Sequence, residues 1–160
     1  PDVPMTRAML VSVLHRLAGG PNSNETAPFT DVGTGDWYAQ SVAWGYENGI
    51  VSGVGDDRFA PDEELTRDQL CALIVRFMRF RGMDLPVLTG DLPLTDAASV
   101  PGWARDDVAF CVALGLVGGY PDGTFRPAGK ATRAENCAVL VKLIEALLKE
   151  MLKGWVSLIN

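Results

Sequence analysis

Gly118-Gly119-Tyr120-Pro121-Asp122-Gly123-Thr124-Phe125-Arg126-Pro127 leads, after four residues, into Thr132-Arg133-Ala134-Glu135. The first stretch concentrates the residues that form turns. The second has the spacing of a capping box, in which a Thr hydroxyl accepts from the backbone three residues on and a Glu side chain reaches back. Downstream, apolar residues recur at three and four positions, as the core-facing stripe of a helix requires. A loop feeding a long, capped helix is therefore predicted.

Sliding the chain by 66 residues lays this stretch on an earlier copy without a gap. Trp37 falls on Trp103, Val42 on Val108, Gly49 on Gly115, Gly53 on Gly119, Asp56 on Asp122, Phe59 on Phe125 and Pro61 on Pro127. Thr66-Arg67 then falls on Thr132-Arg133, and Cys71-Ala72 on Cys137-Ala138. So many matches of rare residue types mean two copies of one unit. A partial copy opens the chain: Thr6-Arg7 precedes Leu10, Val13, Leu14 and Leu17, matching Leu70, Leu73, Ile74 and Phe77. The front half of that copy, with its Trp and Gly-rich loop, would lie before Pro1. The expected organisation is a second half-repeat at 1–20, full repeats at 29–82 and 94–150, and a tail at 151–160. Trp155, Val156, Leu158 and Ile159 in that tail are expected to extend the last helix or to pack over open surface.

Each full copy opens on Phe29-Thr30-Asp31-Val32 or Leu94-Thr95-Asp96-Ala97, continues in a short helix, and stops at Gly49 or Gly115. Thr66 with Gln69, and Thr132 with Glu135, have capping-box spacing, whereas Thr6 faces Met9 and keeps only a simple cap. The next residue is always arginine. A cation at the first helical position opposes the macrodipole by about 0.3–1 kcal/mol, so Arg7, Arg67 and Arg133 break a local rule three times. A guanidinium beside exposed helix-terminal N–H groups makes a receptor for a carboxylate or phosphate. The alternative is a structural arginine, paired with a neighbouring repeat's Asp or packed on its Trp. Trp37 and Trp103 begin amphipathic helices, which favours packing over sugar stacking. Tyr120, on a loop tip, has less structural reason to be aromatic.

The chain has 160 residues and a net charge of −6, with 48% of residues apolar. That is enough to bury a core, and the charge argues against nucleic acid, where Lys and Arg must neutralise phosphates. Apolar runs fall far short of the roughly 18 residues of a membrane span, so no insertion is expected. Three cysteines without a C-x-x-C pair suggest buried apolar residues, neither a disulfide framework nor zinc ligands. The Asp-bearing loops lack the closely spaced oxygen ligands of a calcium loop. No carboxylate pair is marked out for glycoside hydrolysis, and His15 has no evident nucleophile partner. No catalytic residue, metal or cofactor is therefore assigned.

Gly118 to Pro127 followed by Thr132-Arg-Ala-Glu135, together with Phe29-Thr-Asp-Val32 and Trp37, resembles the S-layer homology family over nearly the whole chain. The resemblance implies an all-α fold of tandem helix-loop-helix S-layer homology repeats. It further implies a pseudo-threefold arrangement, with the second helices in a central helix bundle. Grooves between repeats would bind secondary cell-wall polysaccharide, often pyruvylated, through Arg7, Arg67, Arg133, Asp56, Tyr120 and Asp122, with Trp37 and Trp103. The implied protein is secreted and held at a bacterial cell surface. Arg-Asp-Gln and Arg-Ala-Met replace Arg-Ala-Glu in the earlier copies, and the middle loop lacks Tyr-Pro-Asp-Gly. At least one groove is therefore expected to be incomplete. The competing role is an assembly scaffold with vestigial grooves, including self-association through the truncated first repeat.

Overall fold

Three threonines set the frame of the molecule. In a computed structural model that describes residues 4–85, 88 and 92–159 (backbone only for 154–159), each starts a helix. Thr6 is the extended N-cap of α1 (Arg7–Leu17), its hydroxyl accepting from Met9 N–H. Thr66 forms a capping box with Gln69 and opens α3 (Arg67–Phe80). Thr132 and Glu135 exchange both capping bonds at the start of α5 (Arg133–Ile159). The shorter helices α2 (Ala39–Glu47) and α4 (Arg105–Ala113) run up to Gly49 and Gly115, whose φ of +68° and +66° suit glycine. Among the described residues there is no strand, only isolated bridges. The fold is all-α, as expected. The α5 backbone continues through the tail, whose last side chains lie outside the described residues.

The chain divides into two compact units, Val3–Leu65 and Thr66–Asn160. This places the packing unit half a repeat out of step with the sequence repeat. In the first unit, α1 packs on α2, which comes from the following repeat. Leu10, Val11 and Leu14 of α1 are buried together with Val42, Trp44, Ile50 and Phe59. His15 fastens the same pair of helices: its Nε2 donates to Pro21 O at 2.8 Å, which leaves Nδ1 to accept from Ser41 Oγ at 3.0 Å. In the second unit, α3 packs on α4 and meets α5, burying Leu70, Ile74, Phe77, Val108, Phe125 and Leu143.

Cysteine use follows from this packing. Cys71 and Cys111 are free and buried, and the Cys111 thiol lies 3.9 Å from Cys71 O. The aligned pair in the first unit is Val11 and Gly45. There the larger side chain sits on one helix and the facing position is empty. A Cβ built on Gly45 would stand 2.6 Å from Val51 Cγ2 and 3.5 Å from Val11 Cγ1. Cys137, by contrast, is exposed, which corrects the expectation of three buried cysteines.

Gly45→Ala should therefore destabilise the first unit by about 1–3 kcal/mol, the usual range for overpacking. Chemical denaturation measures this, and a neutral or stabilising outcome would mean that Val51 moves aside freely.

Candidate functional site

The arginines that begin α1 and α3 each lie under the loop of the next repeat. Arg7 Nε donates to Phe59 O at 2.8 Å and Nη2 to Ser52 O at 3.2 Å, with Cζ 4.9 Å from the Phe59 ring centre. Arg67 repeats the arrangement on the aligned atoms. Nε donates to Phe125 O at 2.8 Å, Nη2 to Gly118 O at 2.5 Å, and Cζ lies 4.8 Å from the Phe125 ring. Its remaining nitrogen pairs with Glu135 at 2.8 Å. Arg7 is 5% and Arg67 3% exposed.

The helix-terminal N–H groups go to the same loops. Arg7 N donates to Glu63 O and Ala8 N to Pro61 O, while Arg67 N donates to Gly129 O and Asp68 N to Pro127 O. These donors would otherwise lack partners within the helix. The expectation of outward-facing guanidiniums beside free N–H groups is thus corrected for Arg7 and Arg67. Loop carbonyls take both sets of donors, and their negative ends offset the cost of a cation at the helix start. Arg133 differs. It is exposed, and its side chain makes no hydrogen bond or ion pair among the described residues.

From the other side, each loop is held by an aspartate that the motif reading passed over. Asp31 accepts from Phe59 N–H and Ala60 N–H, both at 2.8 Å. Asp96 accepts from Phe125 N–H at 2.7 Å and Arg126 N–H at 2.8 Å. Ala60 and Arg126 have φ of +58° and +57°, a strained conformation for side-chain-bearing residues that these paired bonds hold in place. Burial pushes both carboxyls up, but the backbone donors outweigh it and keep them below the usual carboxylate range. The repeated Thr-Asp at the opening of each copy was the available signal.

On the second loop, the Tyr120 ring lies between two guanidiniums, with Arg67 Cζ at 4.9 Å and Arg126 Cζ at 4.0 Å from its centre. Arg126 also pairs with Asp122 at 2.8 Å, both side chains half exposed. Asp122 accepts from Thr124 Oγ1 at 2.6 Å and Thr124 N at 3.0 Å, and these bonds, then Arg126, hold its carboxyl far below the usual range. The result is an exposed loop edge carrying an aromatic ring, a guanidinium and a carboxylate in fixed relation. Sequence reading named Tyr120 and Asp122, missed Arg126, and named Glu135 only as a helix cap.

The first loop lacks this group. Asp56, exposed at φ +52°, and Val54 occupy the positions of Asp122 and Tyr120. Trp37 and Trp103 are 63% and 57% exposed, against the expectation that they pack inside. Trp37 makes an edge contact with Tyr38, 5.2 Å between centres.

Residues 28–71 and 93–135, together more than half the chain, match the S-layer homology domain. The chain is 33% identical over 145 residues to an amylopullulanase of Thermoanaerobacterium thermosulfurigenes, covering 91% of this chain and 8% of that protein. It is 28% identical over 150 residues to a cellulosome-anchoring protein of Acetivibrio thermocellus, covering 91% and 33%. Over 151 residues it is 26% identical to S-layer protein EA1 of Bacillus anthracis, covering 94% and 16%. The chain thus spans a third or less of each of these relatives.

Two outcomes follow from the loop geometry. Arg67→Ala strands two loop carbonyls and Glu135, and should cost about 2–4 kcal/mol, whereas Arg133→Ala should cost under about 0.5 kcal/mol. Equal thermal midpoints for the two variants would contradict the clamp. Asp31 and Asp96 have lowered folded pKa values, so their stabilisation is complete above the unfolded value of about 4 and drains as pH falls through the folded one. Asp31→Asn/Asp96→Asn should begin with a lower midpoint at pH 7 and show a flatter decline from pH 5 to 2. Parallel declines would show that these carboxylates are not what acid releases.

Proposed function

Because the chain belongs to the S-layer homology family, we propose that it is a non-catalytic module that anchors an exported bacterial protein at the cell surface by binding secondary cell-wall polysaccharide. The relatives named as an anchoring protein and an S-layer protein support the surface role. No described helix is long and apolar enough to cross a membrane.

The observation that carries the saccharide reading is the group on the second loop. Tyr120, Arg126 and Asp122 are solvent-accessible yet fixed, with Arg67 bracing the ring from the buried side. A pyranose offers hydroxyls to the Tyr120 phenol and to the carboxylate–guanidinium pair. An acidic substituent such as a pyruvyl ketal would add a carboxylate that Arg126 can receive in bidentate fashion. Exposed Trp37 and Trp103 supply stacking faces, one in each unit. In this reading Arg7 and Arg67 act on the ligand through the loops they support. The first loop, with Val54 for Tyr120 and no aromatic ring beside the carboxylates of Asp56 and Asp57, binds more weakly.

Cosedimentation with purified bacterial cell walls, with and without extraction of the wall polymer, tests this. Retention should depend on the polymer and fall by about tenfold or more in Tyr120→Ala/Arg126→Ala, the order expected from losing one neutral and one charged hydrogen bond. The midpoint of that variant should stay within a few degrees of the parent. Retention indifferent to polymer extraction would refute the glycan reading and favour an assembly scaffold.

A further inference from the structure

Where α3 packs on α4, each helix contributes a cysteine. Cys71 lies in the second turn of α3 and Cys111 in the last turn of α4, and both are fully buried. The Cys111 thiol is 3.9 Å from the Cys71 carbonyl, across 40 residues of chain. The neighbouring Cys71 thiol, then burial, pushes the Cys111 thiol well above the usual range. The aligned positions of the first unit, Val11 and Gly45, show how closely such a helix pair approaches here. A Cβ on Gly45 would stand 3.5 Å from Val11 Cγ1. Side chains one or two atoms long therefore meet at this crossing, and bridged cysteines hold their Cβ atoms about 3.5–4.5 Å apart.

We propose that Cys71 and Cys111 are a disulfide-forming pair, oxidised in the exported protein, whose bond fastens α4 and the loop behind it to α3. The bond lies one helical turn from Arg67, which clamps that loop. Cys111 also holds the base of the loop, because its carbonyl accepts from Leu116 N–H at 2.8 Å and Val117 N–H at 3.3 Å. The oxidant is a small disulfide, a class of reagent that persists outside the reducing cytosol. One cysteine attacks it as the thiolate and releases one small thiol. The other cysteine then attacks the mixed disulfide, displaces the second small thiol and closes the S–S bond. Each cysteine gives up its proton, and the two electrons leave with the small disulfide, which becomes two thiols. A buried, protonated thiol is a poor nucleophile, so closure takes place as the unit folds or opens. The folded core afterwards shields the bond. Closing so long a loop restricts the unfolded chain and thereby stabilises the unit. The pairing depends on helix packing and not on what the loop binds.

Cys137→Ser, at an exposed position, removes the third thiol and should leave the thermal midpoint unchanged. This 160-residue variant would be reduced in urea, refolded by dilution, and equilibrated with reduced and oxidised glutathione at a series of ratios. A parallel series would stay in urea. After acid trapping and alkylation, the folded protein should be lighter by two hydrogens and yield a linked Cys71–Cys111 peptide. Half-oxidation should need a glutathione ratio roughly 30- to 1000-fold less oxidising than in urea, the fold-change that typical disulfide stabilisation implies. The oxidised form should melt on the order of 10 °C above the reduced form. Amides of residues 116–129 should exchange on the order of tenfold more slowly in it. Half-oxidation at the same ratio in folded and unfolded protein overturns the proposal. So does a glutathione adduct retained on either cysteine of the folded protein, an oxidised form that melts at or below the reduced one, or loop exchange equal in the two.

Discussion

A guanidinium withdrawn from water must find acceptors, and in this protein the need is met by loop carbonyls rather than by carboxylates alone. Arg7 and Arg67 each join the start of one helix to two carbonyls seven residues apart in the next repeat's loop. Main-chain N–H groups of the same helix turn bind the far end of that loop. Asp31 and Asp96 hold the loop's amides from the other side, so donors and acceptors of an irregular segment are satisfied without a sheet. The phenyl ring of Phe59 or Phe125 closes the arrangement by lying against the guanidinium.

The offset between sequence repeat and packing unit follows from this. A front half-repeat carries a loop that needs donors, and the donors stand on the helix of the preceding repeat. Thr6 and Thr66 mark the junctions again through bridges to Glu64 and Lys130, which are themselves aligned positions. Folding therefore couples neighbours in series, as in other repeat proteins whose units do not bury their faces alone.

Much of the fold was legible because its signals are local. Helix starts at Thr6, Thr66 and Thr132, helix ends at Gly49 and Gly115, and the repeat itself follow from residue types at fixed spacings. The site was less so. Three arginines at equivalent positions suggested one shared, outward role, but whether a guanidinium faces solvent depends on a loop some 50 residues away that no local rule connects to it. The same gap hid Asp31 and Asp96, read as part of an opening motif, and misplaced Trp37 and Trp103, whose position on an amphipathic helix suggested burial. Arg126 was passed over because it acts through Tyr120 rather than through a recognisable spacing, and Glu135 was read as a cap without its second partner, Arg67.

For function, the consequence is a division of labour. Buried arginines give the loops rigidity, and the exposed edge of a rigid loop offers recognition groups without an ordering cost at binding. The most direct measurement of that claim is amide hydrogen exchange in the protein and in Arg67→Lys, which keeps the charge but loses the forked geometry. The account predicts that amides of residues 118–129 exchange at least about 100-fold faster in the variant, the size of losing roughly 3 kcal/mol of local stability. Those within α4 and the α3 interior should keep their protection. Exchange at 118–129 equal to the parent, or a uniform rise across the whole unit, would contradict it.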